Sequence, residues 1–145
     1  TIPFFERMKK MNDCIFCKII HKEIPSYTIY EDRDVLAILD TFPASYGHVL
    51  ILSKKHYQNI LECDETTLNS MAKAIKKIGL ALEKTYATGI NVISNIHSSA
   101  GQTVMHAHIH LIPVNGSGQK VEIRSQTLKN VPLDEIQKKI VENLI

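Results

Sequence analysis

Met105-His106-Ala107-His108-Ile109-His110-Leu111-Ile112-Pro113 is the stretch on which the reading of this chain turns. Successive side chains of a β-strand point to opposite faces. An extended backbone here puts three imidazoles on one side and Ala107, Ile109 and Leu111 on the other, giving one strand a chemical face and a packing face. Imidazole supplies nucleophile, proton donor or metal ligand near neutral pH. An affinity tag would be an unbroken histidine tract, whereas apolar residues alternate here and Pro113 closes the pattern. A single ion shared by all three is excluded by reach. The strand advances about 13 Å from His106 to His110, and each ligand nitrogen must come within about 2 Å of a metal. At most two of the three share one ion; the plain alternative is a solvated outer face.

Working upstream, Asn95 opens a polar loop that runs through Ala100-Gly101-Gln102-Thr103 into the histidine run. Gly101 lets a backbone approach an anion closely, and Gln102 and Thr103 carry donors. Strand-like runs are expected at 27–30, 35–39, 48–53 and 89–94, the first two joined by the polar turn Glu31-Asp32-Arg33-Asp34. A long helix follows Asp64, a suitable N-cap, with Leu68, Met71, Ala72, Ile75, Ile78, Gly79 and Leu82 at three- and four-residue steps. Downstream, 115–118 break regular structure. Leu133, Ile136, Ile140 and Leu144 mark a closing helix begun near Pro132. Strands in succession with one central helix give an α+β class with an antiparallel sheet of about five strands, one long helix and several short ones.

Composition narrows the function classes. At 145 residues and 44% hydrophobic content the chain suits one globular domain. A net charge of +2, spread among acidic residues, provides no basic stripe for nucleic acid. No apolar run approaches the ~20 residues of a membrane-spanning helix, and no signal-peptide core stands at the N-terminus, so the expected location is cytoplasmic. Residues 1–10 read as an extension or expression remnant ahead of a natural start at Met11. Cys14-Ile15-Phe16-Cys17 opens a short helix ended by Pro25; without a secretory signal it is half of a metal site or a redox pair, less readily a disulfide. The spacing favours metal. Cys63 has no partner in sequence. No GxSxG, GxxxxGK[ST] or GxGxxG motif is present.

Taken together, Asn95, Ala-Gly-Gln-Thr103 and His-x-His-x-His-Leu-Ile-Pro113 resemble the histidine-triad (HIT) superfamily. The likeness runs back through Cys-Ile-Phe-Cys-Lys-Ile-Ile20, Lys22-Glu-Ile-Pro25, Tyr30-Glu-Asp32, Leu39-Asp40, Gly47-His48 and Lys54-Lys-His56, covering residues 11–114, with 115–145 left as a variable tail. It implies a nucleotide-binding α+β fold that dimerises by joining two sheets, and a reaction at a nucleotide's α-phosphate. His108 would be the nucleophile that forms a nucleotidyl-histidine, and His110 would contact phosphate and assist proton delivery to the leaving group. Gln102, Thr103 and amides near Gly101 would hold phosphate oxygens, and Asn95 would lie on the phosphate and ribose side. Asp40 would hold ribose, and Phe16 would wall the base. Members with the CxxC bind zinc through residues matching Cys14, Cys17, His56 and His106. That set has the chemistry of a closed structural site, tying the first helix to the catalytic strand.

The resemblance implies a phosphoramidase-like hydrolase of purine nucleotide conjugates. The alternatives are a dinucleoside polyphosphate hydrolase and a nucleotide-binding regulatory protein with vestigial activity. A uridylyltransferase of the related branch would carry glutamine where His110 stands. Two departures from the pattern are present. Thr103 replaces a common serine and keeps the hydroxyl, while His97 stands where glycine is usual; the plain reading is a solvent-facing loop histidine, and the alternatives are an altered loop or an added donor at the pocket.

Overall fold

The computed structural model describes residue 3 and residues 13–116 and 121–145. Apart from Pro3, the expected extension over 1–10 lies outside the described residues. Five strands, β1 (Thr28–Glu31), β2 (Val35–Leu39), β3 (Val49–Ser53), β4 (Gly89–Ile93) and β5 (His108–Val114), form one antiparallel sheet in the order β1-β2-β3-β5-β4. Helices α1 (Ile15–Ile20), α2 (Glu65–Glu83) and α3 (Leu133–Glu142) complete the described regular structure with a 3-10 turn at Ser98–Ala100. None of these helices is long and apolar enough to cross a membrane.

Local chemistry accounts for the boundaries. The Asp32 carboxylate accepts the Asp34 and Val35 amides at 2.8 and 2.9 Å, closing the hairpin between β1 and β2. Asp64 caps α2 by accepting the Thr67 amide at 2.8 Å. β2 and β3 are buried on both faces, which is why their sequences are continuously apolar. Val35, Ala37, Val49 and Ile51 pack with Ala107, Ile109 and Leu111 against α2. Leu36, Ile38, Leu50 and Leu52 pack on the opposite face with Phe16, Cys17 and Ile19 of α1. His108 pairs with Leu52 and His110 with Leu50, which puts both histidines on the α1 side of the sheet.

Three expectations require correction. β5 begins at His108, and Met105 and His106 lie in a bend where the His106 amide donates to the Val104 carbonyl at 2.9 Å. The three histidines therefore do not share one strand face; the backbone turns before the first of them. On α2 the buried stripe is Thr67, Met71, Ala74, Ile78 and Leu82, while Leu68 and Ala72 face solvent. The sheet accepts a narrower stripe than the apolar residues present. Helix α3 forms, yet buries none of its residues, so it does not close the core.

Candidate active site and metal centre

The Cys14-Ile15-Phe16-Cys17 run works as a helix start. Cys14 is the N-cap of α1, its sulfur accepting the Cys17 amide at 3.4 Å, and one turn later Cys17 points the same way. His56 comes from the loop after β3 and His106 from the bend before β5. The four ligand atoms converge within 4.8 Å of one another. Cys14 Sγ lies 3.3 Å and Cys17 Sγ 3.5 Å from His106 Nδ1, Cys17 Sγ lies 3.2 Å from His56 Nδ1, and the two Nδ1 atoms are 3.1 Å apart. A tetrahedral zinc with ordinary bond lengths sets S···N edges of about 3.6 Å and N···N edges of about 3.3 Å. The donor set fits zinc.

Hydrogen bonding and burial agree with that fit. His106 Nε2 lies 2.6 Å from the Ser53 carbonyl, which only accepts, so Nε2 carries the proton and Nδ1 presents its lone pair to the cluster. Burial, opposed by the Ser53 bond and aided by His56 and His108, brings His106 down to about 4, the neutral form a ligand needs. Burial and then Cys14 push the Cys17 thiol up to about 12. Thiolates here need a cation beside them.

The other two histidines have tautomers assigned by their partners. His108 Nδ1 lies 2.6 Å from the His106 carbonyl, so Nδ1 is protonated and Nε2 holds a free lone pair. Burial lowers His108 from its ordinary value against the pull of the His106 carbonyl and Asp40, and the Phe16 ring edges against it with centroids 5.0 Å apart. His110 receives the opposite assignment through His48. The Ala44 amide donates to His48 Nδ1 at 3.0 Å, so the proton of His48 sits on Nε2, 3.0 Å from His110 Nδ1. His110 Nδ1 accepts it, which leaves the His110 proton on Nε2. Burial first, then His108 and His48, bring His110 down to about 4, and burial also lowers His48.

Sequence alone assigns His48 no role, although Gly47-His48 belongs to the stretch that resembles the HIT superfamily. Gly47 delivers it at φ 88°, where an added Cβ would meet Leu82 at 3.1 Å and Pro113 at 3.3 Å. Asp40, His48 and His110 also form a second cluster of metal-ligand type, with Asp40 Oδ2 3.5 Å from His48 Nε2. The Ala44 amide occupies the His48 nitrogen that would have to carry the proton if Nε2 bound a metal. This cluster is a hydrogen-bond relay, whereas the cysteine cluster has the protonation pattern of a metal site.

A cavity of about 500 Å³ collects the remaining features, with Phe16, Ile19 and Leu50 as apolar wall and Asp40, Thr103, His108 and His110 as polar groups. Asn95, Gly101 and Gln102 stand on the adjoining loop and do not line it. Asn95 Nδ2 reaches the Gly101 carbonyl at 3.4 Å, and Gly101 turns the chain at φ 95°. The Gln102 side chain is turned inward: Nε2 donates to the Gln58 and Val104 carbonyls at 2.6 and 3.0 Å, and Oε1 accepts the His97 amide at 2.8 Å. Those donors were expected on phosphate; in this structure they brace the loop. His97 is exposed at φ 71°, ψ 157°, a conformation almost confined to glycine.

Residues 21–116 match the HIT domain family. An uncharacterized HIT-like protein of Methanocaldococcus jannaschii is 44% identical over 128 residues, 88% of this chain and 98% of that one. The adenylylsulfatase HINT3 of Arabidopsis thaliana is 43% identical over 70% of this chain and 52% of its own length. Among solved structures, a HIT family member from Bacillus subtilis superposes with a TM-score of 0.84 at 36% identity, covering 92% of this chain and 98% of the other. A Zn-bound histidine triad family protein from Mycobacterium smegmatis superposes at 0.71 and 32% identity, covering 80% and 86%.

Proposed function

The chain belongs to the HIT family, and on that premise we propose that it hydrolyses purine nucleotide conjugates at the α-phosphate, in the manner of a nucleoside phosphoramidase, through a nucleotidyl-His108 intermediate. One observation carries the reading: His108 Nε2 with a free lone pair and His110 Nε2–H are complementary groups on one cavity wall. The base packs on Phe16, Ile19 and Leu50, and Asp40 holds ribose hydroxyls. The phosphate sits among Thr103, His108 and His110 with the loop amides near Gly101, and Asn95 and Gln102 keep that loop in shape. His108 Nε2 attacks phosphorus, the bond to the leaving group breaks, and the leaving atom takes a proton delivered with the help of His110. Water then attacks phosphorus and gives its proton to His110, the bond from phosphorus to His108 Nε2 breaks, and the nucleoside monophosphate leaves with both histidines restored.

Cys14, Cys17, His56 and His106 would hold zinc, which supplies rigidity by tying α1 to the approach of β5 and leaves the reacting atoms to His108 and His110. The Zn-bound relative supports this use of the cluster. The adenylylsulfatase relative supports chemistry at a nucleotide phosphorus with a leaving group other than an amine, which is the second reading. The active form is read as a cytoplasmic homodimer joining two sheets; the open edge of β4, with Val92 51% exposed, supports such a junction.

The test is to trap the covalent adduct. Rapid quenching with an adenosine phosphoramidate is expected to yield protein heavier by one adenylyl group, mapped to His108, with no adduct in His108→Ala. An adduct on another residue, or undiminished turnover in His108→Ala, overturns the mechanism.

A further inference from the structure

The described lining of the nucleotide cavity carries two phenyl rings at opposite extremes of exposure: Phe16 is 7% exposed and Phe42 91%. Phe16 belongs to a buried floor with Ile19, Ile38 and Leu50. Phe42 stands on the rim, in the loop between β2 and β3, and the proposed chemistry does not use it. An exposed apolar side chain is by itself ordinary on a protein surface. What singles this one out is how firmly its backbone is held. The Phe42 amide donates to Asp40 Oδ1 at 2.8 Å, an Asx turn closed by that carboxylate. Pro43 follows, and a residue before proline is steered to extended backbone.

We propose that Phe42 is the outer wall for the base: when a nucleotide binds, its ring closes over the face of the purine that the floor leaves uncovered. The inference rests on the nucleotide reading, to which it adds a residue that determines preference for an aromatic base. A purine is flat and has two faces, and Phe16, Ile19 and Leu50 cover one of them. Aromatic rings stack with centroids about 4.5–7 Å apart. Exposed side chains change rotamer within nanoseconds, so closure asks for no movement of the backbone.

Asp40 sets the position of this wall. The carboxylate that accepts the Phe42 amide is the one the proposed function puts against ribose, and the base is bonded to that same sugar. A carboxylate has about four lone-pair sites, so Asp40 can hold the Phe42 amide and a ribose hydroxyl together. The phenyl ring is therefore anchored to the group that anchors the sugar, at the end of the cavity where the base must lie. Apolar surface contributes to binding only as it leaves water. A ring so exposed adds affinity when a base is there to bury it, and a sugar phosphate without a base gains nothing from it.

The experiment compares AMP with ribose 5-phosphate, the same ligand without its base, by calorimetry on the whole chain. Phe42→Ala, a change at an exposed position that the fold tolerates, is expected to weaken AMP about tenfold and to leave ribose 5-phosphate unchanged. Phe42→Trp is expected to hold AMP at least as tightly as the parent does. The chain has no tryptophan of its own, so that variant also reports the contact: its emission should be quenched saturably by AMP and not by ribose 5-phosphate. Undiminished AMP affinity in Phe42→Ala, equal weakening of both ligands, or emission from Phe42→Trp that ignores bound AMP overturns the wall. A parent protein that does not bind AMP overturns the nucleotide reading beneath it. A parent that binds AMP with the expected pattern but releases none from an adenosine phosphoramidate overturns hydrolysis alone and supports the role of Phe42.

Discussion

His97→Gly is expected to stabilise this protein, against the ordinary direction of glycine substitutions. His97 sits at φ 71°, ψ 157°, where a Cβ is crowded by its own backbone. Such a conformation costs a non-glycine residue of order 1–3 kcal/mol. The loop enforces it from both sides of the residue. The Gln102 side chain accepts the His97 amide at 2.8 Å, and the His97 carbonyl receives the Ala100 and Gln102 amides, each at 3.1 Å. Glycine removes the strain and keeps all three bonds, because none involves the imidazole. It also loosens the unfolded chain, at a cost of about 0.4–1 kcal/mol. The difference is a net gain of about 0.5–2 kcal/mol, or a rise in Tm of about 2–6 °C at this chain length. Urea and thermal denaturation of the zinc-loaded protein measure it, with His97→Ala as control. Alanine retains the Cβ and the strain, so it should gain nothing. A Tm for His97→Gly at or below the parent's refutes the argument, and an equal gain from alanine shows that the imidazole, not the backbone, was the source.

His48→Phe should lower kcat about a hundredfold with KM less affected, because His110 then loses the donor that assigns its proton; His48→Gln, which keeps an N–H at similar reach, should recover part of the loss. Equal loss in both variants would mean that His48 acts only by packing. Reducing, chelating conditions should strip one zinc per chain, by elemental analysis, and lower Tm by about 2–4 °C per kcal/mol of binding linkage lost; an unchanged Tm would argue against a structural metal. Stability should also decline with acid. His110 is brought from its ordinary 6.5 to about 4 by burial, and His48 is lowered too, so below 6.5 the unfolded chain takes up protons that the folded one refuses. The stabilising difference is whole above pH 6.5 and is lost progressively toward pH 4, and denaturation curves across that interval that superpose would contradict it.

Much of the architecture is legible in short-range patterns. The span of β2 and the start of α1 follow from apolar runs and from a CxxC that begins a helix, and Asp64 announces α2. The alternation through Ala107, Ile109 and Leu111 correctly divides β5 into a side that packs on α2 and a side that carries His108 and His110. The bend at His106 was not legible, because what turns the chain is a set of bonds to distant backbone, including the Ala107 amide to the Tyr57 carbonyl at 2.7 Å. Nor was the inward turn of Gln102, whose acceptors lie on Gln58 and Val104.

By itself, then, the sequence determined which residue types were present to do chemistry and that His108 and His110 share the side of β5 opposite Ile109 and Leu111, since that follows from a period of two residues along one backbone. Only the tertiary structure decided what each imidazole can do. A histidine is donor or acceptor at a given nitrogen according to what faces its other nitrogen. Here those facing groups are the Ser53 carbonyl for His106, the His106 carbonyl for His108, and the Ala44 amide acting through His48 for His110. Three of these groups, the Ser53 carbonyl, His48 and the Ala44 amide, are brought from elsewhere in the chain, and no local pattern encodes their direction. The proposed roles of metal ligand, nucleophile and proton donor therefore rest on neighbours, most of which only folding brings together.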